Sequence, residues 1–160
     1  MAPTNPRAIE AASLLETFRA LHASHDALLE KVAQRYGIGR NDLRCLEILQ
    51  RHGEMRPQQL AVLSGLSPAA ITKVADRLIR AGFVTRSPSP TDRRGQVIGI
   101  SDGHRELRAE IWDRIHADAV TVLASLGADD AGRLADVLER LIEVNRSHTR
   151  RVGSVEDGHT

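Results

Sequence analysis

The sequence predicts a mainly α-helical fold in which two short helices and a β-hairpin lie between long terminal helices. Three observations lead to this prediction. Two helical patterns in the middle of the chain are separated by only a few residues, a hairpin pattern with a basic tip follows them, and the helical patterns at both ends are longer than one small module needs.

Two short helices joined by a tight turn are predicted in the middle of the chain. Pro57 has the fixed φ that suits a first helical position, and Gly65 ends this first helix. Ser67 followed by Pro68 supplies an N-cap hydroxyl and a first-position proline for the second helix, which stops at Gly82. Its apolar residues recur at helical spacing: Ile71, Val74, Ala75, Leu78 and Ile79. A short glycine-containing connection is typical of a helix-turn-helix.

The solvent face of the second helix suits the major groove of DNA. Small residues near its start allow close approach of the backbone, and Thr72 can contact a base edge. Lys73 and Arg77 suit guanine edges or phosphates. The residues of this helix predicted to contact DNA are Ser67, Pro68, Ala69, Ala70, Thr72, Lys73 and Arg77.

A β-hairpin with a basic tip is predicted directly after these helices. Residues 83–86 and 96–100 have strand character, and two prolines and a glycine in 87–95 predict a turn between them. Arg93 and Arg94 at its tip can reach a minor groove, where narrow A·T-rich segments concentrate negative potential. Pairs of helices joined by a short turn are common, so the two helices alone could serve only to pack the core. The β-hairpin with its basic tip instead favours a DNA-binding wing.

Residues 56–105 resemble the winged helix-turn-helix core of the MarR family of bacterial transcriptional regulators. The resemblance rests on residues 66–78, 81–84 and 87–94, the last being close to the family's Asp-x-Arg wing motif. It implies that the helix from Pro68 to Ala81 reads the major groove and that Arg94 enters the minor groove. It also implies that Asp92 helps to hold the wing, with Arg77 as a candidate partner.

Three residues depart from the family pattern. Arg56 lies where the family favours a Ser or Thr cap, which predicts a less well capped first helix. Gly99 lies in the second wing strand and should weaken it through backbone entropy. His104 lies where the family usually has glycine, with Gly103 one residue earlier, so the path into the next helix is left open.

The terminal segments predict long helices with surplus apolar surface. Helical patterns run from Ile9 to about Tyr36, over 41–51, from Ser101 to Leu126, and onward from Asp129 or Asp130. We predict one structural domain, with residues 1–36 and 103–151 as a helical dimerisation region, 37–102 as a winged helix-turn-helix DNA-binding region, and 152–160 as a flexible tail. The fold class is therefore mainly α, a winged helix-turn-helix with a small β-hairpin wing and long N- and C-terminal dimerisation helices.

The apolar surplus favours a homodimer over a monomer whose terminal helices pair within one chain. The resemblance implies the same, because MarR proteins dimerise through their terminal helices. A two-fold pair would separate the two reading helices by about one DNA turn, ~34 Å, on a pseudo-palindromic double-stranded site.

Charge and composition agree with a DNA-binding protein in the cytoplasm. Residues 56–105 carry 8 basic and 3 acidic side chains, whereas 106–160 carry 7 and 11, so the basic excess coincides with the motif. We expect no membrane association, because the chain has no apolar run of about 18 residues and its first residues lack the pattern of a secretory signal.

Other chemistry is weakly indicated. Cys45, the only cysteine, lies at an apolar helix position and is interpreted as an inert core residue rather than a redox sensor. The seven histidines show no metal-binding spacing, so neither a metal nor another cofactor is expected. The sequence has no catalytic motif that predicts an enzyme, and its few aromatic residues argue against single-strand binding.

The resemblance implies a repressor that a phenolic or lipophilic carboxylate effector releases from DNA. The effector would bind a cleft between the dimer helices and the DNA-binding lobe, for which the candidate lining residues are His22, His25, Trp112 and His116. Two alternatives stay open: a winged-helix protein-interaction or architectural module without an effector, and a metal- or redox-sensing regulator.

Overall fold

The computed structural model describes residues 6–89 and 95–156, which fold as a mainly α-helical chain with a two-stranded antiparallel sheet. The predicted fold class is confirmed. In chain order the elements are α1 (Pro6–Tyr36), α2 (Arg40–His52), α3 (Pro57–Ser64), α4 (Pro68–Arg80), β1 (Val84–Pro88), β2 (Gln96–Ile100), a 3₁₀ turn (Asp102–His104), α5 (Arg105–Ala124) and α6 (Ala128–Glu156). The chain divides into two compact units, Met1–Arg108 and Ala109–Thr160.

The core of the first unit is formed by the end of α1, the three short helices and the base of the hairpin. Its largest fully buried side chains are Phe83, Leu43, Leu46, Leu49, Leu60, Ile71, Leu78 and Ile98. Burial of an apolar side chain of this size stabilises a fold by about 1.5–3 kcal/mol. The inward face of α4 is therefore fixed by packing, and its outward face is left for other contacts.

The helix boundaries agree closely with the sequence signals. α3 is followed directly by Gly65, which has φ +70°, and Gly82 after α4 has φ +77°; both conformations favour glycine. α1 begins at Pro6 rather than at Ile9, because proline is tolerated in the first turn, where the missing N–H has no helical acceptor.

The first strand differs from its prediction. β1 runs from Val84 to Pro88, so Phe83 precedes the strand, and Ser87 and Pro88 belong to it rather than to the turn. Antiparallel pairing continues to Pro88 opposite Gln96, since proline is accepted where a strand edge needs no N–H donor. Met55 adds a further bridge to β2, because its N–H donates to the Ile98 carbonyl at 3.1 Å and its carbonyl accepts from Ile98 at 2.8 Å.

The structure gives a physical reason for two of the three departures from the family pattern. A Cβ on Gly99 would come within 3.2 Å of the Glu54 Cβ, so glycine lets the segment before α3 cross the sheet closely. A Cβ on Gly103 would come within 2.9 Å of the Gly82 carbonyl oxygen, so glycine is also needed in the 3₁₀ turn that leads into α5.

The third departure concerns the start of α3. Arg56 occupies the N-cap position without a side-chain cap bond, as expected. The Gln59 side chain instead accepts a hydrogen bond from the Arg56 N–H at 3.0 Å, which satisfies a backbone donor at this end of the helix.

The helices after the hairpin start and end slightly differently from the sequence prediction. Ser101 caps the 3₁₀ turn through the Gly103 N–H, and α5 starts only at Arg105. α6 starts at Ala128 and continues to Glu156, so residues 152–156 are helical where we expected the flexible tail to begin; residues 157–160 lie outside the described part of the chain. Across residues 6–89 and 95–156, no helix is both long and apolar enough to cross a membrane.

Candidate nucleic-acid interface

α4 separates its residues into a buried and an exposed face, as predicted. Ile71, Val74, Ala75 and Leu78 are buried. Ala70 is half-buried, and the exposed positions are Ser67, Pro68, Ala69, Thr72, Lys73, Asp76, Arg77 and Arg80. We call α4 the reading helix below.

The start of the reading helix is fixed by its cap. The Ser67 hydroxyl accepts a hydrogen bond from the Ala70 N–H at 3.2 Å, and Pro68 follows at the first helical position. One turn later the Thr72 hydroxyl donates to the Pro68 carbonyl at 3.1 Å, so this hydroxyl can meet a further group only as an acceptor. The N-terminal turn thus presents small, polar side chains at the positive end of the helix dipole.

The predicted wing tip lies between β1 and β2 in the sequence. Asp92, Arg93 and Arg94 lie outside the described residues, and their contacts with DNA stay predictions. At the base of the wing, the Ser89 N–H donates to the Gly95 carbonyl at 2.8 Å.

An ion pair joins the hairpin to the reading helix. Arg86 in β1 approaches Asp76 with Nη2 3.4 Å from Oδ1. Asp76 is half exposed and Arg86 about a third, so this pair stabilises by no more than about 1 kcal/mol. Its effect is to orient the two elements weakly rather than to hold them rigidly.

Asp42 in α2 is the main residue that sequence analysis missed. Arg77 of the reading helix donates from Nε to Asp42 Oδ2 at 3.0 Å and from Nη2 to Oδ1, and this bonding raises the pKa of the guanidinium further above its usual range. Asp42 Oδ2 also accepts from the Gly39 N–H at 3.3 Å. The available signal was an aspartate in the first turn of α2, which by itself predicts only a helix cap.

The end of the reading helix is anchored to the segment before α5. The His104 ring stacks on Phe83 with the centroids 4.1 Å apart, and its Nε2 lies 2.8 Å from the Ala81 carbonyl oxygen. Phe83 also packs on Tyr36, at 5.1 Å between ring centroids. His104 therefore replaces the expected glycine with a contact that fixes the helix end.

Cys45 lies fully buried beneath the reading helix. Burial raises the pKa of its thiol to about 11, although a hydrogen bond with Ser64 opposes this effect. A thiol that stays protonated and shielded from solvent reacts slowly with oxidants. These properties favour the inert interpretation of Cys45.

The four candidate effector residues belong to different units. His22 and His25 are exposed on α1 in the first unit, whereas half-buried Trp112 and exposed His116 lie on α5 in the second. A pocket formed by all four stays a prediction. Within the described ranges there is no group of three or more histidine, cysteine or acidic side chains that could hold a metal ion.

A separate cavity in the first unit is lined by an arginine. It has a volume of about 340 Å³, and its lining residues are Leu49, Gln50, Gly53, Glu54, Gly99, Ile100 and Arg108. The Arg108 Nη1 atom is buried and has no hydrogen-bond partner among the described residues. Such an orphaned donor is uncommon in a native fold.

Comparison with known proteins identifies the family. The sequence model of the MarR family matches residues 38–95. The HTH-type transcriptional regulator YcgE of Bacillus subtilis is 34% identical over 151 residues, which cover 89% of this chain and 97% of YcgE. The chain belongs to the MarR family. It is a DNA-binding transcriptional regulator, and its relatives are regulators rather than enzymes.

Solved structures of other proteins share this fold. A MarR family protein from Bacillus stearothermophilus matches with a TM-score of 0.65 at 20% identity, covering 90% of this chain and 99% of that protein. RV1404 from Mycobacterium tuberculosis matches with a TM-score of 0.62 at 25% identity, covering 89% of this chain and 96% of RV1404.

Proposed function

We propose that this MarR-family regulator is a homodimeric repressor that binds a pseudo-palindromic double-stranded DNA site and is released by a small acidic effector. The observation that carries the proposal is the reading helix: a capped helix whose buried side is locked into the core and whose other side exposes small and cationic residues. Such a helix fits the major groove without rearrangement of the fold.

Within the major groove, each exposed residue has a distinct role. Ala69 and Thr72 lie close to base edges, where a methyl group can meet the thymine methyl and the Thr72 oxygen can accept a hydrogen bond. Lys73 reads a guanine edge, and Ser67 lies with the helix N-terminus near a phosphate. The wing extends the contact, with Arg93 and Arg94 at its tip reaching the adjacent minor groove.

The dimer is supported by apolar residues that the terminal helices leave in contact with solvent. Leu14 on α1 is 68% exposed and Val122 on α5 is 70% exposed. Further exposed apolar side chains on these helices and on α6 are Ile9, Leu15, Leu21, Val120, Leu123, Val137, Ile142 and Val144. Monomeric proteins rarely expose so many large apolar residues. Burial of these side chains against a second copy of the chain would be favourable. A two-fold dimer covers them and supplies the second reading helix.

The effector proposal rests on Arg108. A carboxylate that enters the cavity beside it would satisfy the orphaned Nη1 donor with a charge-assisted hydrogen bond. The cavity is at the lower end of the range for small-molecule sites, about 300–1,000 Å³, which suits a phenolic acid. His22, His25, Trp112 and His116 are retained as a second proposed set. Either site acts on DNA binding only if the effector prefers a conformation that binds DNA weakly.

The experiment measures DNA affinity and assembly together. Sedimentation equilibrium should give a dimer, and fluorescence anisotropy should show binding to a selected duplex at least ~10³-fold tighter than to random duplex. Addition of 2-hydroxybenzoate should weaken specific binding, and Arg108→Gln should abolish that effect without loss of DNA binding in its absence. A monomer that binds all duplexes equally, with no response to the acid, would contradict the proposal.

A further inference from the structure

Asp42 and Arg77 form a cross-helix pair with unequal exposure. The Asp42 side chain is 3% exposed, whereas the Arg77 side chain is 47% exposed. The carboxylate therefore lies inside the protein beneath the reading helix, and the guanidinium bridges from it to solvent. The pair links the start of α2 to the last turn of the reading helix.

The donor atoms in this pair determine what Arg77 can still bind. Asp42 takes the Nε edge of the guanidinium, through Nε and Nη2. A guanidinium has five N–H donors in one plane, so this arrangement directs the opposite edge, formed by Nη1 and the second Nη2 hydrogen, away from the carboxylate. That edge has the spacing that matches two acceptors side by side, as on a phosphate or on the O6 and N7 atoms of guanine.

Helix capping alone does not require the negative charge of Asp42. Its Oδ2 atom accepts from the Gly39 N–H at 3.3 Å, a role that an uncharged Asn or Gln oxygen also performs. A buried carboxylate is costly unless it is paired, and Arg77 is the cation that pairs with it. The negative charge and the second carboxylate oxygen of Asp42 are therefore used to pair with Arg77 on the reading helix.

We propose that Asp42 is a positioning residue that holds Arg77 with its outer edge ready to bind paired acceptors on DNA. This inference rests on the proposed function, because it takes the reading helix to be the DNA contact. Arg77 without Asp42 would sample many rotamers and lose that freedom only on binding DNA, which weakens binding. When Asp42 is present, the Arg77 side chain is already ordered in the folded protein, so DNA binding does not have to order it.

The test is a double-mutant cycle on the full-length protein. Wild type, Asp42→Asn, Arg77→Ala and the double variant are titrated with a selected duplex and with random duplex at several salt concentrations. Asp42→Asn keeps the acceptor for Gly39 but places amide donors where Arg77 needs an acceptor. Asp102→Asn is the matched control, because Asp102 also pairs with an arginine, Arg105, but is exposed and lies on the 3₁₀ turn. Circular dichroism confirms that each variant is folded.

We expect the losses of specific DNA binding from the two substitutions not to be additive. Arg77→Ala should weaken specific binding by roughly 10- to 100-fold, and Asp42→Asn should weaken it by roughly 3- to 10-fold. In the Arg77→Ala background, Asp42→Asn should have almost no further effect, and Asp102→Asn should match wild type throughout. If Arg77 binds phosphate, its loss lowers the salt slope by about one; if it reads guanine, its loss relaxes the preference at one base pair.

Four outcomes are decisive. An equal loss from Asp42→Asn in both backgrounds would show that Asp42 acts through the fold, and it would overturn the inference while leaving the proposed function intact. No loss from Arg77→Ala would remove Arg77 from the interface, and no binding of duplex by wild type would refute the proposed function itself. If Asp42→Asn does not fold, Arg77→Lys replaces it: a lysine has no planar fork, so wild-type affinity in that variant would overturn the inference.

Discussion

Removal of the Ser67 cap should destabilise the reading helix by a predictable amount. The Ser67 hydroxyl accepts one hydrogen bond, from the Ala70 N–H at 3.2 Å. Loss of such a cap costs about 1 kcal/mol, with a range of about 0.5–2. Ser67→Ala should therefore lower the urea midpoint by about 0.5 M for an m-value of about 2 kcal/mol/M, and the melting temperature by about 2–4 °C.

The loss of the Ser67 cap also limits how much fraying of the first turn can weaken DNA binding. If the first turn must be helical to bind, an increase of about 1 kcal/mol in its fraying weakens binding by at most about fivefold. Ser67→Asn is the rescue variant, because asparagine caps helices as well as serine does. Ser125→Ala is the control, since the Ser125 hydroxyl lies at an exposed position and donates to the Val122 carbonyl at 2.7 Å.

Urea unfolding followed by circular dichroism at one fixed protein concentration measures these changes, because the stability of a dimer depends on concentration. The urea midpoint of Ser67→Ala should lie below that of Ser67→Asn, and the midpoints of Ser67→Asn and Ser125→Ala should lie close to that of wild type. An unchanged midpoint for Ser67→Ala, or an equal loss in Ser67→Asn, would refute the role of the cap.

Four further predictions concern separate residues. Lys73→Ala should cost about 1–3 kcal/mol of specific binding in anisotropy titrations and relax one base position; a uniform loss with a shallower salt slope would assign Lys73 to phosphate. Arg94→Ala should weaken binding most on sites with A·T-rich flanks, and equal losses on A·T- and G·C-rich flanks would exclude a minor-groove role. Cys45, whose thiol pKa is about 11, should react with a thiol reagent at pH 8 only after unfolding, since about one thiol in a thousand is ionised there; rapid labelling of the native protein would contradict its burial. Burial raises the pKa of Glu47, so ionisation of its carboxylate lowers the stability of the wild type as pH rises above 4.5. The urea midpoint of Glu47→Gln should therefore increase relative to that of wild type between pH 4 and pH 7. A constant difference between the two midpoints across that range would contradict the raised pKa.

Local signals in the sequence predicted the reading helix and its turn well. Pro57, Gly65, Ser67 and Gly82 each have a conformational reason for their position, and each reason depends only on nearby residues. Helical spacing likewise separated the buried from the exposed face of α4, because the core covers one continuous stripe.

Contacts between distant residues could not be predicted in this way. Asp42 and Arg77 are 35 positions apart, and an aspartate in a first helical turn looks like a cap until the fold brings α4 beside it. Gly99 looked like a weak strand residue because Glu54, which would crowd its Cβ, comes from an earlier segment. His104 looked like an irregularity until its stacking on Phe83 was visible. Tertiary packing, rather than local propensity, determined all three.

Selection of bound duplexes from a random pool tests the central claim most directly, because it reports binding, specificity and symmetry together. We predict that the recovered sequences share an inverted repeat whose half-sites are centred about one helical turn, ~10 base pairs, apart. Recovery of a single asymmetric half-site would contradict the two-fold dimer, and recovery of no shared sequence would contradict specific readout by the reading helix.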